Sequence, residues 1–174
     1  AGRHDLASPD GTCYLADDPL VACLEAISHG SVDGLVVAVD FLAARQVRAL
    51  PLRSACAVVD LTDGATGPFG VSRDIHTIAD YTLPQAWAAA ARAAGFAGLR
   101  GLPTTHQPLA AGWPGPGVQG PGVVALFGRA GERRSWRRGR GRAIAGDLLD
   151  GLAAHGVAVA PTPAGAELTV VAPG

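Results

Sequence analysis

The apolar residues of this chain come in short bursts. Leu35–Val39 (LVVAV), Ala55–Leu61 (ACAVVDL) and Val123–Phe127 (VVALF) each have the length of a buried strand, and glycine and proline punctuate the chain between them. No apolar run approaches the roughly 18 residues of a bilayer span. With 48% hydrophobic and 17% charged residues in 174, the pieces can share a buried core, which argues against global disorder and fits one domain's length. Strands and helices mix without strict βαβ alternation, so the expected class is α+β and not a doubly wound sheet.

Helices are announced by their ends. Asp17-Asp18-Pro19 is an acidic cap before a proline, Leu20, Leu24 and Ile27 recur at helical spacing, and Gly30 closes the run. A second helix is expected over Leu83–Ala94, with Thr82 and Gln85 at capping-box spacing and Gly95 as its stop, and a third over Ala143–Ala154 with Gly156 after it. Gly11–Ala16 and Ala97–Leu102 read as further strands. Val157–Ala160 and Leu168–Val171 read as a terminal β-hairpin. Between them, Pro103–Gly122 is a long Gly/Pro-rich connection of the kind that is usually functional or mobile. Composition shifts at Gly131. Residues 1–130 are expected to form the domain, and residues 131–174 an Arg-rich linker, a helix and the hairpin.

Charge and cysteine usage exclude several classes. The net charge is −1, so no global basic field draws the chain to nucleic acid. All 14 basic residues are arginine, which reads as codon bias, and the run from Arg133 to Arg142 reads as a solvated linker with Trp136 pinning it. Cys13, Cys23 and Cys56 form no CxxC pair, so they read as small core residues in a reducing, cytoplasmic setting with no metal site. Ala1–Asp10 is polar, unlike a signal peptide. The five histidines show no ligand spacing and read as surface or locally bonded. GxSxG, HExxH and Walker A are missing, and the GxGxxG spacing of Gly115, Gly117 and Gly120 lies among prolines ahead of a strand, where no helix N-terminus can hold phosphate.

What remains is the front of the chain. Arg3 lies in Gly2-Arg3-His4-Asp5, Tyr14 in a strand, and Glu25 on the first helix. With Val21 one turn earlier, Glu25 falls at the edge of the apolar face, where a carboxylate is partly shielded and needs partners.

The order Gly-Arg-x-Asp, then Gly-Thr-x-Tyr-Leu-Ala-Asp-Asp-Pro, then Leu-Glu eleven residues after the Tyr, resembles the RES domain, the toxin half of a bacterial toxin–antitoxin system. Asp80–Ala88 (DYTLPQAWA) resembles the family's helix entry, Ala97–Arg100 (AGLR) one of its strands and Val124–Gly128 (VALFG) its closing strand. The resemblance implies an ADP-ribosyltransferase-like split β core with flanking helices. It implies destruction of NAD+ by a glycohydrolase or phosphorylase, with NAD+ as substrate, inorganic phosphate as the optional co-substrate, and no bound cofactor. Arg3, Tyr14 and Glu25 match the family's Arg, Tyr and Glu; Thr104 or Thr105 stands where the family has Ser, and keeps a hydroxyl. By resemblance Arg3, Tyr14, Glu25 and these threonines bind NAD+, with Arg73 and Arg100 as further phosphate candidates. The implied partner is an Xre-type antitoxin. No Met begins the chain and the family carries more residues ahead of the Gly–Arg motif, so an opening strand and helix are expected before Ala1. The alternatives are transfer of ADP-ribose to a protein or nucleic acid, and a RES-like module that only binds.

Overall fold

A computed structural model describes residues 2–28, 35–52, 55–103, 120–131 and 139–162. Strand β1 (Asp10–Ala16) leads through Asp17-Asp18 into helix α1 (Pro19–Ser28). The acidic cap does what its position requires: Asp18 Oδ1 accepts from the Leu20 N–H at 2.8 Å and the Val21 N–H at 3.1 Å, and Pro19, lacking an N–H, opens the helix. Strand β2 (Val36–Ala38), helix α2 (Val39–Ala43) and strand β3 (Gln46–Arg48) follow. Next come strand β4 (Val58–Asp60), two 3-10 turns (Gly64–Phe69 and Arg73–His76), helix α3 (Thr82–Ala93) and strands β5 (Gly98–Gly101) and β6 (Val123–Arg129). Strand β7 (Gly141–Ala143), helix α4 (Asp147–Ala154) and strand β8 (Ala158–Ala160) complete the described chain.

The strands divide into a four-stranded sheet, ordered β1-β6-β5-β4, and two ribbons, β2-β8 and β3-β7. In the sheet β6 is antiparallel to β1 and β5, and β4 is parallel to β5; Tyr14, Ala125, Leu99 and Val59 therefore form one cross-strand row. That face, with Leu61 and Phe127, packs on Ala88 and Ala91 of α3 and on Ile75. A second core joins Cys23, Leu24 and Ile27 of α1 to Val37, Leu42, Leu148, Leu152 and Val157. Side chains as deeply buried as Leu42 and Leu152 each stabilise by about 2 kcal/mol. Helices α1 and α4 approach closely at Gly151, where a Cβ would stand 2.8 Å from Leu20 Cδ2. The result is an α+β core split between a four-stranded sheet and two ribbons.

The structure departs from the sequence reading in several places. Thr82 and Gln85 form no capping box. Asp80 Oδ1 accepts from both the N–H and Oγ1 of Thr82, at 2.9 and 2.6 Å, and the Gln85 amide is used elsewhere. The LVVAV run is strand for three residues only, because Val39 starts α2. Ala143 ends β7 and the helix behind it begins at Asp147. Strand β8 runs parallel to β2, and the expected second hairpin arm, 168–171, lies outside the described residues. Of the three cysteines only Cys23 is buried; Cys56 is exposed. Among the described residues no helix is long and apolar enough to cross a membrane.

Candidate active site

Residues 2–5 form a turn that β1 clamps with alternate side chains. Thr12 Oγ1 donates to the His4 carbonyl at 2.8 Å and accepts from the Leu6 N–H at 3.3 Å. Two residues on, Tyr14 Oη accepts from the His4 N–H at 2.8 Å and donates to Asp5 Oδ1 at 2.9 Å. The turn is closed by Asp5 N–H to Gly2 O at 3.3 Å and by the Gly2 N–H on the Asp5 carboxylate. A Cβ at position 2 would stand 2.6 Å from Tyr14 Oη, so a larger residue there would displace the phenol. Burial of the phenol, with the Asp5 carboxylate adding to it against the opposing His4 N–H, holds Tyr14 above the ordinary tyrosine range. Its ring remains open on the surface, with the residue 45% exposed.

Arg3 leaves the same turn in a different direction. Its Nη1 donates to the carbonyls of Ile75 and Ile78, at 3.4 and 2.5 Å, and its guanidinium carbon lies 4.8 Å from the centre of the Tyr81 ring. Its Nε is buried and has no hydrogen-bond partner among the described residues. A buried donor left unpaired is rare and costs on the order of 1–3 kcal/mol.

Two histidines complete this region, and no spacing in the sequence groups them. His4 is buried with Nδ1 3.4 Å from the Pro84 carbonyl; burial chiefly, with the Arg3 charge, holds its pKa down. His76 is buried too, and its Nδ1 accepts from the Leu102 N–H at 3.4 Å. Burial first, then the neighbouring His4 and Arg3, push His76 down to about 4 against a backbone bond with Leu61. Both imidazoles are therefore neutral beside a permanent cation. They are locally bonded, as one branch of the sequence reading has it, but neither lies at the surface.

Of the other residues singled out from sequence, Glu25 is half-buried on α1, one turn after buried Val21 and next to buried Leu24. Thr104 and Thr105 lie outside the described residues, and so does the side chain of Arg73. Arg100 is engaged within the protein. Its Nη2 donates to Gly120 O at 2.7 Å and meets Asp17 Oδ2 at 3.4 Å, while Nη1 meets Asp60 Oδ2 at 3.3 Å and Thr62 Oγ1 at 3.4 Å. Asp17 in turn accepts from the Gly122 N–H at 2.6 Å, so this arginine fastens the end of the Gly/Pro-rich connection and is not a free phosphate ligand. In the Arg-rich run, Arg142 pairs with Asp147 at the surface. No group of three or more metal-ligating side chains gathers among the described residues.

Tyr81 and Gln85 belong to this region and sequence reasoning did not place them there. The only hint was their position in the helix entry that resembles the family's.

No curated protein and no solved structure matches the chain. The family model described as RES domain matches residues 1–108, from the Gly–Arg turn through β1, α1 and α3 to beyond β5. That family is NAD-related and toxin-type in function. With more than half of its length matched, and the matched part holding Arg3, Tyr14 and Glu25, the chain belongs to the RES domain family.

Proposed function

We propose that this protein cleaves the nicotinamide–ribose bond of NAD+, as a glycohydrolase with water as acceptor or a phosphorylase with inorganic phosphate. The observation that carries the reading is the Arg3 guanidinium. With Nη1 held by two carbonyls and Nε buried without a partner, its Nε–Nη2 edge is the pair of parallel donors that a phosphate oxygen pair takes. A pyrophosphate there supplies the missing acceptor. The open ring of Tyr14, its hydroxyl tied on both sides, is a stacking surface for the flat nicotinamide cation.

Glu25 is assigned the electrostatic part. When the C1′–N bond breaks, its electron pair goes to the pyridinium nitrogen, and nicotinamide leaves neutral. No acid has to protonate it, unlike the leaving oxygen of an ordinary glycoside. Positive charge grows instead on the ribose, and a shielded carboxylate stabilises it by about 3–4 kcal/mol, two to three decades in rate. Water then adds at C1′ and releases a proton, giving ADP-ribose; phosphate gives ADP-ribose 1″-phosphate. The hydroxyl of Thr104 or Thr105 is assigned to hold Glu25 or a ribose oxygen. An Xre-type antitoxin covering this site is the partner the family suggests.

The test is to incubate the protein with NAD+, with and without phosphate, and identify the products. Free nicotinamide with ADP-ribose or its phosphate is expected, and Glu25→Gln should lower the rate at least 100-fold while the melting curve is kept. Label fixed to macromolecule would reassign the acceptor. A Gln variant as fast as the parent would remove Glu25 from the chemistry.

A further inference from the structure

The first turn of α3 grips three consecutive residues of the N-terminal turn. Gln85 Nε2 donates to the Gly2 carbonyl at 3.1 Å, the Tyr81 ring lies 4.8 Å from the Arg3 guanidinium carbon, and the Pro84 carbonyl faces His4 Nδ1 at 3.4 Å. Positions 81, 84 and 85 share one helix face, so one element touches Gly2, Arg3 and His4 together. Arginine is a flat fork with five donors, and what it offers a ligand depends on which edge is free. Here the Ile75 and Ile78 carbonyls occupy Nη1 and the Tyr81 ring covers a face. Rotation about the side chain is then fixed, and the edge left with an unpartnered donor is the one that carries Nε.

We propose that Tyr81, supported by Gln85, is a positioning residue that selects this edge of Arg3 for the phosphate-bearing half of the substrate. The inference rests on the reading of the site as an NAD+ pocket and adds a residue to it. Tyr81 does this with its ring, so phenylalanine should replace it and leucine should not. Its effect reaches the substrate only through Arg3, so it should be felt by substrates with phosphate and not by those without.

The experiment compares the parent, Tyr81→Leu, Tyr81→Phe and Arg3→Ala by calorimetric binding of ADP, and by cleavage of NAD+ and of nicotinamide riboside, which has the scissile bond but no phosphate. Tyr81→Leu is expected to weaken ADP binding and raise the KM for NAD+ roughly five- to tenfold, with Tyr81→Phe close to the parent. Turnover of nicotinamide riboside should not change, and Tyr81→Leu should add nothing in the Arg3→Ala background. Equal losses on both substrates, or a further loss without Arg3, would overturn the proposal and leave Tyr81 as packing alone. Should Tyr81→Leu lose its cooperative melt, Gln85→Met carries the same test with the same expected split between substrates. A parent that binds ADP in a Tyr81-dependent way but leaves NAD+ intact sinks the cleavage reading and keeps this inference; a parent that does not bind ADP overturns the inference whatever it does to NAD+.

Discussion

The buried imidazole of His76 makes the fold sensitive to acid by an amount that can be worked out. In the folded protein burial, with His4 and Arg3 beside it, holds the His76 pKa at about 4, against 6.5 when exposed. Between those values the unfolded chain binds a proton that the folded one does not, so stability falls as pH drops. Above pH 7 the contribution is flat. At pH 5 about 2 kcal/mol has been lost, and below pH 4 about 3 kcal/mol, after which it is flat again. Protonation also ends the bond from the Leu102 N–H, because Nδ1 would then carry a hydrogen of its own. His76→Asn removes the titration while its side-chain oxygen can accept that N–H. Urea unfolding of both proteins at pH 7 and pH 5 measures the difference, and taking the parent against the variant cancels the carboxylates common to both. The parent should lose about 2 kcal/mol more than His76→Asn over this interval. Parallel losses would refute the picture of a neutral, buried His76.

Two further expectations concern the framework. Arg100→Leu leaves the Gly120 carbonyl and the Asp60 carboxylate without their shared cation; since Asp17 and Asp60 are partly solvated, the loss should be about 2 kcal/mol in urea unfolding, and a change under about 0.5 kcal/mol would show that this hub contributes little. Asp18→Ala removes the acceptor for the first N–H groups of α1 and should cost about 1 kcal/mol, seen as a lower melting temperature, with Asp18→Asn recovering most of it.

The parts of this fold that could be read from the sequence are those whose cause is local. An aspartate before a proline starts α1, and a short apolar run between glycines makes β6. What could not be read is pairing at a distance. Strands β3 and β7 carry Gln, Arg and Gly as much as apolar residues, and they are strands because Gln46–Arg48 and Gly141–Ala143 find each other. Leu148 and Leu152 mark a helix in the sequence, but nothing local says that they complete the core of α1. The site divides the same way. Arg3 and Tyr14 stand out by motif; Arg3 belongs to the turn that the Tyr14 hydroxyl ties, and its side chain leaves in another direction. His76, Tyr81 and Gln85 join them only through contacts between elements far apart in the chain, and Gln85 was misread because its spacing from Thr82 suits a cap that Asp80 supplies instead.

The chemical character of this region follows from which groups hold protons. Beside Arg3, both His4 and His76 are held neutral by burial and by the guanidinium itself. The Tyr14 phenol is kept protonated and its hydroxyl is bonded on both sides. Neither His76 nor the Tyr14 phenol is therefore poised to give up or take a proton near neutral pH, so neither serves there as a general acid for a leaving group. A pyridinium departing as neutral nicotinamide has no such need. It asks for an anchored dinucleotide, a flat surface and one negative charge near the sugar, and the proposed reading assigns the first two to the fixed guanidinium and the open tyrosine ring, with no proton moving. On the proposed reading the half-buried carboxylate of Glu25 is the charge near the sugar, so replacing it by its neutral isostere tests that chemistry more sharply than a change to either histidine beside Arg3.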